Sequence, residues 1–293
     1  MKKIVLLFLI VAQFVALNAT NVPVELTEVD LPENPCLFGD CSDAFHEEMV
    51  AQDIVHFDLK QNRKKVEQEF GLSNIEQELE LLSKEPFINI SLGWNCYVAL
   101  GLNTFGLRIR SFPLDWNRTS FSGLCNLIEN NLEGILELKN LDVRWDGPGL
   151  YNKYYDCWLA HDFHDKYKQL WKNNSQGYAE TKNPEEIARY YKVCAYYERR
   201  IARFFKVLTL GVPVYMFRYK ISSHEAKELS SLLKKKFPNI SITLVCINDL
   251  NVREPIVNWQ KIPEVKHFTL SHPDVAVSRN EWRNMFMKLG MIV

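Results

Sequence analysis

The sequence predicts an α/β fold: a mixed, mostly parallel sheet flanked by helices, with a helical N-terminal extension. Strands and helices alternate near the C-terminus, with strands at residues 212–219, 240–247 and 265–270 and helices at 223–236 and 279–289. A short β-rich run at 87–92 also precedes a helical pattern at 97–107. Connections of this kind place strands in parallel and cover both faces of the sheet with helices.

Composition indicates a folded domain with no strong electrostatic field. The chain has 293 residues, 47% of them hydrophobic, and a formal net charge of −1. A chain of this size buries a core without help from metals or disulfides. Because acidic and basic residues are interspersed, we expect neither nucleic acid nor an anionic membrane surface as a partner.

The N-terminus has the pattern of a secretory signal peptide. Two lysines precede an apolar run at residues 4–17, and small residues surround Ala19, after which we expect cleavage. The run is too short to span a membrane comfortably, so we expect no stable membrane insertion after cleavage. We therefore expect residues 1–19 to be a signal peptide, 20–85 an extended lead-in and helical extension, and 86–293 the α/β domain. The predicted location is outside the cell or in the secretory lumen.

Seven cysteines follow the predicted signal peptide. In an oxidising compartment cysteines tend to pair, and an odd count leaves one thiol over. We expect a local bridge between Cys36 and Cys41, with Cys96 as the unpaired thiol. Two further bridges are expected among the remaining four residues, Cys125, Cys157, Cys194 and Cys246.

Glycosylation sequons are consistent with a secreted glycoprotein. They begin at Asn89, Asn117, Asn173 and Asn239. Asn89 lies inside a predicted strand, so we expect that sequon to be unused.

Cys96 lies at a predicted strand-to-helix junction, which suits a nucleophile. Backbone N–H groups and the helix dipole stabilise a thiolate there, so we expect the pKa of Cys96 to fall toward neutrality. The alternative is a buried or disulfide-bonded structural cysteine.

A second candidate region, residues 141–167, is rich in aromatic, Asp and His residues. His161, Asp162, His164 and Asp165 crowd the end of a predicted strand at 154–163. A core histidine beside a polar turn and a metal site are both alternatives, but the cluster lacks a familiar zinc spacing. We favour a general base, because a neutral imidazole can accept a thiol proton. No cofactor or metal is expected.

A long helix is predicted at residues 184–210, with three arginines on its polar side. These are Arg199, Arg200 and Arg203. They could bind an anionic group, but we favour a solvated face or ion pairs.

Five sequence blocks resemble a known family. The blocks are SLGWNC at 91–96, FPLDW at 112–116, AHDF at 160–163, YERRIARF at 197–204 and TLVCIND at 243–249. Their order and spacing resemble the family described as putative papain-like cysteine peptidases, a domain family of unknown function, over about residues 86–293. Members usually show Gly-Ser-Asn-Cys where this chain has Trp94 as the second residue. The resemblance implies Cys96 as nucleophile and His161 as base, with Asp162 and Asp115 at matching polar positions. It also implies an alternative α+β papain-like fold.

Together these observations predict a secreted thiol-dependent hydrolase or acyl transferase that acts on a peptide, amide or ester. Cys96 would attack, His161 would relay the proton, and Asp162 or Asp115 would orient the imidazole. Asn95 or nearby backbone N–H groups would stabilise the oxyanion.

The pairing of Cys96 with His161 predicts that the strands before them share one sheet, with their ends facing a cleft lined by Trp94, Asp115 and Trp116. One alternative is a catalytically inactive secreted binding module with a structural Cys96. Another is a glycan-acting esterase-like α/β hydrolase in which His272 is the base.

Overall fold

The computed structural model describes residues 75–164, 168–252, 259 and 262–292. All of them belong to the second of the two units of the chain, residues 45–293. The predicted signal peptide, most of the predicted extension, the bridge between Cys36 and Cys41, and Asp165 lie outside the described residues.

The described part of the chain contains six α-helices and ten strands. The helices are α1 Ile75–Leu82, α2 Tyr97–Thr104, α3 Phe121–Glu129, α4 Pro184–Val207, α5 Ser223–Lys236 and α6 Arg279–Lys288. The strands are β1 Ile88–Ser91, β2 Arg118–Thr119, β3 Leu141–Asp142, β4 Leu150–Asn152, β5 Cys157–Leu159, β6 Lys172–Asn173, β7 Ala179–Glu180, β8 Val214–Tyr219, β9 Ile242–Asp249 and β10 Val265–Leu270.

The main sheet confirms the predicted α/β class. Its order is β1-β8-β9-β10, and every neighbouring pair is parallel. The predicted bounds of α5 and β10 agree with the structure. The start of α5 is fixed by a capping box in which Ser222 accepts from the backbone N–H of Glu225, and the Glu225 side chain accepts from the Ser222 backbone.

Helices cover both faces of this sheet. Side chains alternate along each strand, so each face presents its own set of apolar residues to these helices. Phe217 of β8 points into a cluster with Val98 of α2 and Phe286 of α6. Met216 points to the opposite side, into a larger cluster that includes Leu229 of α5 and residues of α1, α3 and α4.

A second, antiparallel sheet follows the order β2-β5-β4-β3, and β6 and β7 form a separate hairpin. The predicted strand at 154–163 is reduced to β5, which pairs with β2 and β4. The expectation that β1 and the strand before His161 share one sheet is therefore wrong. The segments that flank β5 form turns, and the backbone of Asp156 has a left-handed φ of 45°.

The predicted helix at 120–138 is also shorter than expected. It ends at Glu129, and Asn131 and Leu132 take left-handed φ values of 55° and 61°. Asn tolerates this conformation better than most residues, so the adjacent asparagines Asn130 and Asn131 end the helix where apolar periodicity alone would extend it.

Arg203 of α4 confirms the prediction of ion pairs on that helix. It is buried and forms a salt bridge with Glu78 of α1. Arg199 and Arg200 instead lie over the ring of Tyr196, each with its guanidinium carbon 5.9 Å from the ring centre.

The five cysteines within the described residues are free thiols, so the expected bridges among Cys125, Cys157, Cys194 and Cys246 are wrong. Cys157 and Cys246 are buried in different sheets. The Arg218 guanidinium interacts electrostatically with Cys125, Cys157 and Cys246, which indicates that it lies among them.

Burial separates the four sequons into two classes. Asn89 and Asn117 are buried, and their side-chain amides donate to backbone carbonyls. Asn173 and Asn239 are exposed, so glycosylation stays a prediction at these two positions. No helix among the described residues has the length and apolar character needed to cross a membrane.

The close packing of α2 on α6 gives a test of the fold. A Cβ added at Gly101 would lie 2.6 Å from Trp282 Cζ3, and Trp282 is fully buried. We expect Gly101→Val to lower the free energy of unfolding by about 2 kcal/mol or more, because the indole has no space to move. Urea unfolding measures this, with Thr104→Val on the exposed side of α2 as the control. A loss no larger than that of the control would contradict the packing.

Candidate active site

The turn after β1 has a glycine at its centre, where any side chain would be strained and crowded. Gly93 has a left-handed φ of +77°, and a Cβ there would lie 2.9 Å from Thr119 Oγ1 and 3.1 Å from the carbonyl oxygen of Asn117. The turn therefore packs directly on the segment that leads into β2. This contact joins the main sheet to the FPLDW block.

Arg218 of β8 binds the same turn through hydrogen bonds. Its Nη1 donates to the Leu92 carbonyl at 2.8 Å and to Thr119 Oγ1 at 2.9 Å, and its Nη2 donates to the Thr119 carbonyl at 2.8 Å. Burial lowers the pKa of Arg218 to about 10, so the guanidinium is still charged at neutral pH. A buried cation with three acceptors thus connects β1, β2 and β8.

Cys96 caps the N-terminus of α2, as predicted, and is half-buried. Asn95 Oδ1 accepts from the backbone N–H of Tyr97 at 3.0 Å, so this amide fixes the start of the helix. Among the hydrogen bonds of the described residues, Asn95 Nδ2 makes none, which leaves it as a donor for an oxyanion.

The pKa of Cys96 is raised to about 11, chiefly by burial; a backbone hydrogen bond opposes this shift, and the charge of Asp274 adds to it. The expectation that its position at the helix terminus would lower this pKa toward neutrality is wrong. Desolvation of the thiolate outweighs the backbone N–H groups. The thiol is protonated at neutral pH and needs a base to become a nucleophile.

Asp274 is a site residue that the sequence interpretation missed. It is buried in the loop between β10 and α6, and its charge acts on both Cys96 and Tyr97. Its place just beyond the last parallel strand was an available signal, because sites gather at the carboxyl ends of such strands. His272 lies in the same loop and is exposed.

His272 is held by its neighbour. Its Nδ1 accepts from the backbone N–H of Asp274 at 3.1 Å. A neutral imidazole in this arrangement has its proton on Nε2, so neither ring nitrogen offers a lone pair to a thiol. The hydrogen bond must break before His272 can act as a base.

His161 follows β5 and packs against Trp116, with the ring centres 5.3 Å apart. Trp116 belongs to the same turn as Asn117, whose carbonyl borders Gly93. The segment carrying His161 and the turn carrying Cys96 therefore meet on a shared neighbour, although their strands lie in different sheets. The direct pairing of Cys96 with His161 stays a prediction.

Asp115 is buried, and one of its oxygens accepts three hydrogen bonds. Oδ2 accepts from Arg108 Nε at 3.0 Å, Arg108 Nη2 at 2.8 Å and the backbone N–H of Phe112 at 2.9 Å. Burial raises the pKa of Asp115, and Arg108 opposes that shift. The Arg108 guanidinium carbon in turn lies 5.1 Å from the ring centre of Trp116. Asp115 is therefore linked to His161 through Arg108 and Trp116.

Asp162 is tied to the long helix α4. Its Oδ2 lies 2.9 Å from the hydroxyl of buried Tyr197, which also lies 3.0 Å from Asn117 Oδ1. Tyr197 thereby connects the AHDF segment to the turn that borders Gly93. Among the described residues, no group of three or more His, Cys, Asp or Glu is placed to hold a metal ion.

A second set of contacts supports the Cys96 loop from the opposite side. Tyr219, the last residue of β8, donates from its hydroxyl to Asp249 Oδ2 at 2.5 Å. Its ring meets the rings of Trp94 and Tyr97 edge-on, with centres 5.3 and 5.7 Å apart. Hydrogen bonds from Tyr219 and from the backbone N–H of Asn251 lower the pKa of Asp249 despite its burial. The sequence interpretation did not assign Tyr219 or Asp249 to the site.

Comparisons with known proteins agree with the resemblance seen in the sequence. Residues 88–248 match the family described as "Putative papain-like cysteine peptidase (DUF1796)". The chain is also similar to "Uncharacterized protein R408" of Acanthamoeba polyphaga mimivirus, with 24% identity over 183 residues, 55% of this chain and 77% of the viral protein. No solved structure matches the chain.

The raised pKa of Cys96 gives a test by alkylation. The rate of iodoacetamide labelling at Cys96 should rise about tenfold per pH unit from pH 7 to pH 10, because only the small thiolate fraction reacts. Asp274→Asn should increase the rate at pH 8, since it removes a negative charge that raises this pKa. Peptide mass spectrometry measures the rate, with Glu80→Gln on α1 as the control. A labelling plateau on the acidic side of pH 7 would contradict the raised pKa and would reveal a preformed ion pair with a histidine.

The buried cation gives a test of what holds the site together. Arg218→Met should lower the free energy of unfolding by about 3 kcal/mol or more, because the carbonyls of Leu92 and Thr119 lose their donors while buried. The exposed Arg283→Met on α6 is the matched control for urea unfolding. Equal stability of the two variants would show that Arg218 does not anchor the turn.

Proposed function

This chain belongs to the family described as putative papain-like cysteine peptidases, and on that premise we propose that it is a thiol-dependent hydrolase or acyl transferase acting on an amide or ester bond. The observation that supports this most is the position of Cys96. The thiol lies at the first turn of α2, just beyond the carboxyl end of a parallel strand, next to the turn that Gly93 forms. A nucleophile at such a point faces the crevice where ligands of open α/β sheets bind.

The proposed reaction starts from a protonated thiol. His161 accepts the Sγ proton as Sγ forms a bond to the substrate carbonyl carbon, and the oxyanion receives a hydrogen bond from Asn95 Nδ2, worth about 3 kcal/mol. The C–N or C–O bond then breaks, and the imidazolium returns the proton to the leaving group. Water or another acceptor releases the acyl group from sulfur, again with His161 as base.

His272 is disfavoured as the base by its own hydrogen bond. The Nδ1 lone pair of His272 is occupied by the Asp274 backbone N–H, which puts the ring proton on Nε2. His161 instead packs against Trp116, beside the turn that precedes Cys96. The glycan-acting esterase alternative, in which His272 is the base, therefore requires a local rearrangement.

Asp162 and Asp115 act in this proposal as positioning residues. Asp162 anchors the His161 segment through Tyr197. Asp115 fixes Arg108, on which Trp116 lies, and Trp116 supports the imidazole ring. Loss of either carboxylate should reduce the rate less than loss of His161, because each acts through an intermediary.

The competing function is a binding module without catalysis. The observation that favours it is the pKa of about 11 of Cys96, which is that of an unactivated, desolvated thiol. A peptide or ester would then bind beside Cys96 without being cleaved.

We also propose that the protein is secreted after cleavage of its signal peptide. The N-terminal sequence pattern alone supports this proposal, and sequencing of the mature N-terminus tests it.

The two functions differ in whether sulfur becomes acylated. With p-nitrophenyl acetate we expect a burst of one p-nitrophenolate per protein and an acetyl group on Cys96 in a peptide map. Cys96→Ala should abolish the burst, and His161→Gln should slow it by about 10² to 10⁴, the range that a general base supplies. His272→Gln is the matched histidine control and should retain the burst.

Two outcomes would overturn parts of this proposal. Acetyl groups on surface lysines alone, with no loss in Cys96→Ala, would favour the binding module. A burst that persists in His161→Gln but disappears in His272→Gln would identify His272 as the base.

A further inference from the structure

Trp94, two residues before the proposed nucleophile, has two cationic side chains over its ring. The Nζ of Lys220 is 4.5 Å from the centre of its ring, and the guanidinium carbon of Arg118 is 5.7 Å from that centre. Trp94 is half-buried, whereas Arg118 and Lys220 are exposed. The indole is held in turn by the edge-on contact with Tyr219.

The backbone at this position is strained. Trp94 and Lys220 have left-handed φ values of 80° and 56°, a conformation that non-glycine side chains rarely adopt. Strain of this kind clusters at binding sites. Trp94 follows β1 and Lys220 follows β8, so the contact of the ammonium with the indole ring links the carboxyl ends of these two strands.

Neither cation forms a salt bridge within the described residues. Lys220 acts electrostatically on Asp249, whose Oδ2 accepts from Tyr219 and whose Oδ1 accepts from the backbone N–H of Asn251. The other acidic group described here, Asp274, acts on Cys96 and Tyr97 from the α6 side. Arg118 and Lys220 therefore keep donors available for an anion from solvent.

From this arrangement we infer that Arg118, Trp94 and Lys220 form a subsite for a carboxylate of the substrate, next to the bond that Cys96 attacks. The inference rests on the proposed function and adds a substrate class to it, namely acyl groups or peptides with an acidic side chain near the reacting carbonyl. Guanidinium and ammonium groups supply the charge-assisted hydrogen bonds, and the indole supplies an apolar surface for the chain that bears the carboxylate.

Two alkylating reagents that differ in charge test the subsite on the full-length protein. Iodoacetate has the carboxylate that iodoacetamide lacks, and both react with the same thiolate, so their rate ratio at Cys96 is independent of the pKa of the thiol. We expect the rate with iodoacetate divided by the rate with iodoacetamide, normalised to the same ratio for free glutathione, to exceed one. It should fall by about threefold in Arg118→Gln/Lys220→Gln, the size of a short-range charge interaction in water. Lys288→Gln at the far end of α6 is the control and should leave the ratio unchanged.

A second measurement does not depend on thiol chemistry. The fluorescence of Trp94 is obtained as the difference between wild type and Trp94→Phe, and its quenching constants for anionic iodide and neutral acrylamide are each divided by those of free tryptophan. We expect the normalised constant for iodide to exceed that for acrylamide. The double variant should remove this excess. If iodide quenching responds to the double variant but Cys96 resists both alkylating reagents, the anion subsite stands and the thiol-dependent function fails. An unchanged reagent ratio together with unchanged iodide quenching would overturn the subsite.

Discussion

The hydrogen bonds of the buried Arg218 guanidinium are the constraint on which the site depends. Three carbonyl or hydroxyl oxygens, from the turn after β1 and from Thr119 of β2, accept from this one side chain. These bonds form a polar link between the carboxyl end of β1 and the small antiparallel sheet. A buried cation is costly unless its donors are satisfied. Both Nη atoms of Arg218 donate, whereas its buried Nε has no partner among the described residues, so the bonds of the Nη atoms offset part of the cost of burial and also define where the turn must lie.

This anchoring explains how two separate sheets contribute to one site. Gly93 packs on Thr119 and on the carbonyl of Asn117, so the segment that bears Trp116 is brought against the turn that bears Cys96. His161 reaches the same place from β5 by contact with Trp116. The link between the nucleophile and its proposed base is thus a shared turn, whereas a common strand edge was expected.

The chemistry of Cys96 is a balance between two opposed effects. The N-terminus of α2 favours the thiolate, but burial and the nearby Asp274 favour the thiol, and the second pair prevails. A protonated resting thiol is compatible with catalysis only if a base removes the proton during attack. The hydrogen bond from the Asp274 backbone to His272 therefore matters, because it withholds one of the two candidate bases.

The sequence by itself determined the local parts of this protein. Alternating apolar residues and the Ser222 capping box define β8, α5 and β10, since propensity and capping act within a few residues. The glycine before Cys96 and the helical pattern after it likewise located the candidate nucleophile at a strand-to-helix junction.

Only the tertiary structure decided which distant residues meet. Contacts between residues remote in sequence decided four features of the structure. They placed β5 in the second sheet and Asp274 near Cys96. They also placed Tyr219 and Asp249 under Trp94, and the free thiols around Arg218. The pKa of Cys96 was misjudged for the same reason. Position at a helix terminus is visible in the sequence, whereas the desolvation that outweighs it comes from neighbours that only the folded chain brings together.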